Sequence, residues 1–341
     1  MRAAIYNQYL DTMGGGERYT LSFAQALSNA GYIVDIQWAR KTIKKKLEER
    51  FGMNLKYLNI VKDIKRGDGY DLCFWLSDGS VPLLRARKNF LHFQFPFKNV
   101  NGKSLINKMK LFRINKIICN SYFTKSFIDQ EFGVQSLVIY PPVDVDKIRP
   151  KRKENIILYV GRFSQLQQAK NQHLLIEIFK KLIRKGVNDW KLILAGGVEV
   201  GALEYVRKLT RLVHNYPIKI VESPNFNELK DLYGKSKIFW SAAGFGINEK
   251  KEPEKVEHFG ITVVEAMTAG VVPIVYSGGG HREIVSEPET GYLWKKKGEF
   301  LKKTVKLIEN QKLLRTISKS AKAQALVYEY NRFESELYEI I

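Results

Sequence analysis

The sequence predicts an α/β protein of two doubly wound domains, each a parallel sheet covered by helices. Three features carry that expectation. A strand, a glycine turn and an amphipathic helix open the chain, and the same order returns at Ile156 to Arg184. A proline-bearing break, Tyr140 to Pro150, lies between the two openings. A length of 341 residues suits two cores of ordinary size. The expected domains are residues 1–147 and 148–330.

Composition narrows the class. The hydrophobic fraction of 45% is that of a globular chain, and no run of 18 apolar residues predicts a membrane span. Met1 to Asn7 reads as a strand start rather than a signal peptide. Cys73 and Cys119 lack metal or redox spacing and are expected as reduced core residues, which gives a cytoplasmic address. The net charge is +21, of which +11 falls in residues 1–150 and +10 in the rest. Such a field attracts nucleotides, nucleic acid or an anionic membrane surface. No recognition motif or one-sided basic arm supports nucleic acid as a partner.

In chain order, Ala3 to Tyr6 is a short apolar strand, followed by the turn Gly14-Gly15-Gly16-Glu17-Arg18 and a helix from Tyr19 to Asn29 that stops at Gly31. The Gly-x-Gly-x-x-Gly spacing is absent, so a dinucleotide is not indicated. Tyr32 to Trp38, Asp71 to Trp75 and Asn89 to Gln94 read as buried strands. Lys41 to Arg50 is a basic helix with an apolar stripe of Ile43, Leu47 and Phe51; its polar face is either solvated or docks on anionic headgroups. Pro96 soon follows the third strand and puts His92 near its C-terminal end, where open α/β sheets hold ligands. Lys98 to Arg113 mixes apolar and basic residues, as a lipid-facing surface would, although a plain surface helix reads the same. Ile117 to Ser121 and Tyr122 to Phe132 form a strand and helix. Asp144-x-Asp146 invites a metal, but a linker after two prolines is the wrong context for one.

The second half begins with the strand Ile156 to Gly161, followed by Arg162, a loop, Lys170-Asn171 and the helix Gln172 to Arg184. Trp190 to Gly197, Ile218 to Val221 and Ile238 to Ala243 are strands, and Asn227 to Lys235 a helix. Gly244 to Val256 is a polar insertion, read as a lid or extra loop. Then comes Glu257-His-Phe-Gly-Ile-Thr-Val-Val-Glu265, whose apolar run after Phe259-Gly260 predicts a helix ending at Gly270. The helix start presents backbone N–H groups and a positive dipole end, a natural seat for a diphosphate, with Glu265 one turn deeper to accept from a diol. The strand Val271 to Tyr276 and the loop Ser277 to Gly280 follow.

Glu257-x7-Glu265 with Phe259-Gly260 inside it and Gly278 to Gly280 after it resembles the donor-site signature of family-4 retaining glycosyltransferases of the GT-B fold. Gly14 to Arg18, Asn120-Ser-x-x-Thr124 and Gly161-Arg162 with Lys170-Asn171 match further family motifs. The resemblance spans Gly14 to Trp294 and is nearest to lipid-linked-oligosaccharide mannosyltransferases. It implies two Rossmann-like domains facing across a cleft, an acceptor-side domain followed by a nucleotide-sugar domain, with residues 331–341 returning to the first. It implies sugar transfer from a nucleoside diphosphate to a hydroxyl of a glycan or lipid-linked acceptor, with GDP-mannose as first donor, a UDP-sugar as alternative, and no metal or other cofactor. The catalytic group is then Glu257, His92, Arg162 and Lys170. The donor is held by Gly15, Gly16, Gly161, Phe259, Gly260, Ile261, Thr262 and Glu265. One departure is the interval between Arg162 and Lys170, longer than the family pattern, which leaves the register of Lys170 open. A catalytically dead relative is disfavoured, because both glutamates and the Arg-Lys pair are present.

Overall fold

The computed structural model describes residues 1–164 and 168–341. The chain divides into two compact units, Met1–Pro142 with Tyr330–Ile341, and Val143–Glu329.

The first unit runs β1 (Arg2–Tyr6), α1 (Gly15–Asn29), β2 (Ile33–Gln37), α2 (Ile43–Phe51), β3 (Leu58–Val61), β4 (Leu72–Leu76), β5 (Lys88–Phe93), α3 (Leu105–Leu111), β6 (Lys116–Cys119), α4 (Tyr122–Phe132) and β7 (Leu137–Val138). The seven strands form one parallel sheet in the order β3-β2-β1-β4-β5-β6-β7. Strand order reverses beside β1, the switch point at which such sheets open a crevice. Strand β3 has no counterpart in the sequence expectations: it is a four-residue edge strand whose run alternates rather than staying apolar. The apolar stripe of α2 does face the core, with Ile43, Leu47 and Phe51 buried. Cys73 and Cys119 are free and buried.

The second unit runs β8 (Ile156–Val160), α5 (Gln172–Arg184), β9 (Lys191–Gly196), α6 (Leu203–Val213), β10 (Ile218–Glu222), α7 (Phe226–Lys235), β11 (Ile238–Ser241), α8 (Ile261–Thr268), β12 (Val272–Tyr276), α9 (His281–Ile284), β13 (Tyr292–Trp294), α10 (Lys297–Glu309) and α11 (Gln311–Ala325). Its six-stranded parallel sheet has the order β10-β9-β8-β11-β12-β13, so the switch point lies between β8 and β11. Its core is knitted by Trp240, Trp294 and Phe300, whose rings pack at 4.5–4.7 Å. The last helix, α12 (Tyr330–Tyr338), belongs to the first unit, where Phe333 meets Tyr19 edge-on at 5.3 Å. Among the described residues no helix is long and apolar enough to cross a membrane.

Candidate active site

The site is assembled at the switch point of the second unit. Strand β8 is followed by Gly161, where a Cβ would fall 2.3 Å from the Tyr159 hydroxyl and force that ring to move. Beyond the loop, Asn171 takes a left-handed conformation (φ 54°) and donates from Nδ2 to the Ala242 carbonyl at the end of β11, 2.9 Å away. That turn fixes Lys170, which is buried and whose Nζ donates to Glu257 Oε2 at 2.8 Å and to Gln168 Oε1 at 2.7 Å. Lys170 is therefore in reach of the first glutamate of the motif. Residues 165–167 of the longer Arg162–Lys170 interval lie outside the described residues.

Burial by itself would raise the Glu257 pKa, but the charge of Lys170 and the nearby His281 imidazole outweigh it and hold the carboxyl at about 2. The pair is thus a carboxylate and an ammonium, with side chains only 19% and 11% exposed, and its attraction is weakly screened. His281, its pKa pushed down by burial, donates from Nδ1–H to the Tyr276 carbonyl at 2.9 Å.

Helix α8 begins directly after Gly260, whose φ of 109° is open to glycine and strained for other residues. No side chain caps this helix and no acid stands in its first turn, so the N–H groups of Ile261 and Thr262 and the helix dipole point forward from the Glu257 segment. Phe259 is buried and meets Tyr328 edge-on at 5.5 Å, which anchors the turn. Glu265, one turn in, is 9% exposed, and the Tyr233 hydroxyl donates to its Oε2 at 2.8 Å.

The glycine loop after β12 acts through close approach. A Cβ at Gly279 would lie 2.0 Å from the Glu257 carbonyl oxygen, and one at Gly280 2.5 Å from Phe259 Cα. Gly280 donates its N–H to the Glu257 carbonyl at 2.8 Å. The insertion read as a lid is tied to the same loop: Arg282 grips Glu249 with two hydrogen bonds of 2.9 and 3.0 Å, and the Gly279 N–H donates to Glu249 at 3.1 Å. Its far end, at the Val256 carbonyl, accepts from Gln168 Nε2.

Arg162 is half-exposed and pairs with Glu199 at 3.3 Å, and the Tyr159 hydroxyl lies within electrostatic reach of both Glu257 and Arg162. Asp144 is committed to Lys147 at 2.6 Å. Among the described residues no group of three or more His, Cys, Asp or Glu could hold a metal ion.

In the first unit the sequence expectations fare differently. His92 is fully buried, its Nδ1 donating to the Ile118 carbonyl at 3.1 Å and its ring stacked on Tyr19 at 4.1 Å. Burial depresses its pKa to about 3, so the ring is neutral and its Nδ1–H is the donor to Ile118. In this structure the ring is enclosed in the core of the first unit, with its Nε2 buried and unpartnered among the described residues. Gln94 stands two residues on, partly exposed, and donates to the Gly16 carbonyl at 3.1 Å. Gly15 and Gly16 are the first turn of α1 rather than a loop, and a Cβ on Gly16 would collide with Gln94 at 1.9 Å. Tyr233 and Gln168 escaped the sequence reading, because their distance from the motif along the chain hides their place beside it; His281, next to the glycine loop, and Gln94, beside Gly16 in the first unit, carry no pattern that marks them.

Residues 143–324 match the family model for glycosyl transferases group 1. The chain is 29% identical over 214 residues to a GDP-Man:Man(3)GlcNAc(2)-PP-Dol alpha-1,2-mannosyltransferase of Neurospora crassa, covering 52% of this chain and 36% of that protein. It is 26% identical over 238 residues to an alpha-1,3/1,6-mannosyltransferase of Candida glabrata, covering 60% and 50%. The chain thus spans about a third to a half of the length of the curated relatives it matches. The crystal structure of HepE from Anabaena in complex with UDP superposes with a TM-score of 0.80 over 99% of both chains at 16% identity, a likeness of fold. The family match over more than half the chain, together with the two doubly wound units, shows that this protein belongs to the glycosyl transferases group 1 family and has the GT-B fold.

Proposed function

We propose that the protein transfers a sugar from a nucleoside diphosphate sugar to a hydroxyl of a glycan or lipid-linked acceptor, with retention at the anomeric carbon and without a metal. The observation that supports this best is the buried Lys170–Glu257 pair immediately before the uncapped start of α8. A diphosphate seated on the Ile261 and Thr262 N–H groups gains charge as the anomeric C–O bond breaks. Lys170 and the helix dipole stabilise that charge more in the transition state than in the bound donor. The acceptor oxygen bonds to the anomeric carbon, and its proton passes to the departing diphosphate. Glu257, ionised at all ordinary pH, orients the sugar or offsets positive charge developing at that carbon. Glu265, steadied by Tyr233, takes the ribose hydroxyls. Arg162 serves the diphosphate only after leaving Glu199, an exposed pair of small cost to break.

GDP-mannose is the first donor, in line with the GDP-Man named for the Neurospora crassa relative. A UDP-sugar is the second, in line with the UDP held by the Anabaena fold neighbour. Calorimetric titration with GDP and UDP, followed by turnover of GDP-mannose and UDP-glucose with and without chelator, tests both. Tighter binding of GDP and chelator-resistant mannose turnover are the expected results. Tight binding that survives Glu265→Ala together with Lys170→Ala would move the nucleotide elsewhere, and loss of activity with chelator would reinstate a metal.

A further inference from the structure

The helix α3 and the residue after it present an apolar face on which nothing among the described residues packs. Phe112 is 93% exposed, Leu105 74%, and Ile106 and Met109 66% each, and α3 contributes no buried residue to the unit. At 100° per residue, 105, 109 and 112 lie on one line of the helix and 106 lies beside it. Lys108 falls on one flank of this face and Lys110 on the other. Leu111, on the far side, packs against the cluster of Phe93 and Phe132 and fixes which way the face points. Ser104 caps the helix by accepting from the Asn107 N–H at 3.3 Å, so the cap and the Leu111 contact hold a seven-residue helix that buries none of its residues fully.

The charge around it is one-sided. From Gly79 to Ile128, fifty residues contain no Asp or Glu and ten Lys or Arg. Four large apolar side chains so exposed and side by side, on one short helix and the residue after it, mark a binding face. The positive surround selects the partner: a second copy would set two cationic faces against each other, and a nucleic acid has no apolar surface for Phe112 and Met109 to enter. A layer that is anionic at its surface and apolar beneath meets both demands.

We infer that α3 and Phe112 dock the protein on an anionic lipid bilayer, with Leu105, Ile106, Met109 and Phe112 below the headgroups and Lys103, Lys108, Lys110 and Arg113 among them. The inference stands on this surface and is independent of which sugar donor the second unit takes.

The test is flotation of the full chain with phosphatidylcholine vesicles and with vesicles about one-third phosphatidylglycerol. The protein is expected to float with the anionic vesicles, with a bound fraction roughly tenfold above that for the neutral ones. Ile106→Ser/Met109→Ser/Phe112→Ser is expected to abolish flotation, and Lys108→Glu/Lys110→Glu to remove the preference for anionic lipid. Both variants should keep the wild-type melting temperature and nucleotide affinity, because the altered side chains support nothing in the unit. Failure of the wild-type chain to float at low salt, or flotation undiminished in the triple variant, overturns the inference. So does a wild-type dimer that the triple variant dissolves without any vesicle binding, which would make this a contact between copies.

Discussion

Helices α1 and α8 both start on glycine at the open end of a parallel sheet, and they treat that start in opposite ways. At α1 the Glu17 carboxylate folds back onto the helix start, accepting from the Gly14 N–H at 2.7 Å and from Thr12 Oγ1 at 2.8 Å. Its positive end already carries a buried negative charge. At α8 no acid stands in the first turn, and the neighbouring carboxylate, Glu257, is drawn to Lys170 instead. One glycine turn is closed by its own chain and the other is arranged for an anion from outside. The lesson is that a glycine-rich helix start marks an anion site only when no side chain of the protein has already met its donors.

The sharpest way to break this contrast is Lys170→Ala. It removes the cation and strands Glu257, and turnover of the donor is expected to fall by about 10²-fold or more. Steady-state rates check this; retention of wild-type turnover would remove Lys170 from the chemistry. Next, Gly260→Ala forces an alanine to φ 109° with its Cβ 3.2 Å from His281, at a cost of about 1–3 kcal/mol. Denaturant unfolding should show that loss, together with weaker nucleotide binding. Glu17→Ala should cost about 1 kcal/mol of stability, as loss of a cap does, and leave nucleotide affinity unchanged; a tighter nucleotide in this variant would show that α1 is an anion site after all. Tyr233→Phe removes the hydroxyl that donates to Glu265 and should weaken nucleotide binding by roughly 1 kcal/mol, read by calorimetry.

The smallest effect at working pH is in the titration of Glu257. Its folded pKa, about 2, lies below the ordinary 4.5, so its contribution to stability is complete at neutral pH. It declines as pH falls below about 4.5 and is gone near 2. Unfolding curves of Glu257→Gln should therefore lack the part of the acid-side slope that wild type shows between those values.

The fold was legible because buried parallel strands are continuous apolar runs with glycine or proline after them, as Ile156 to Gly161 and Ile238 to Ala243 illustrate. Edge strand β3 was not, since a strand covered on one side need not be apolar throughout. At the site, Glu257, Gly260 and Glu265 could be read from one local pattern. The burial of His92 could not: an apolar neighbourhood and a strand end look alike whether the ring is open or enclosed, and only the stacked Tyr19 and the Ile118 carbonyl show it enclosed.

By itself the sequence determined the two doubly wound units, the helix after Phe259-Gly260 and the identity of the charged residues near it, because local periodicity and glycine placement dictate these. The tertiary structure alone decided which charges meet. Lys170 and Glu257 are 87 residues apart, as Tyr233 and Glu265 are 32 apart, and such pairs are set by the switch point of the sheet rather than by any pattern along the chain. It also decided that His92 turns inward while Leu105, Ile106, Met109 and Phe112 turn out, because burial depends on what covers an element and not on the element itself.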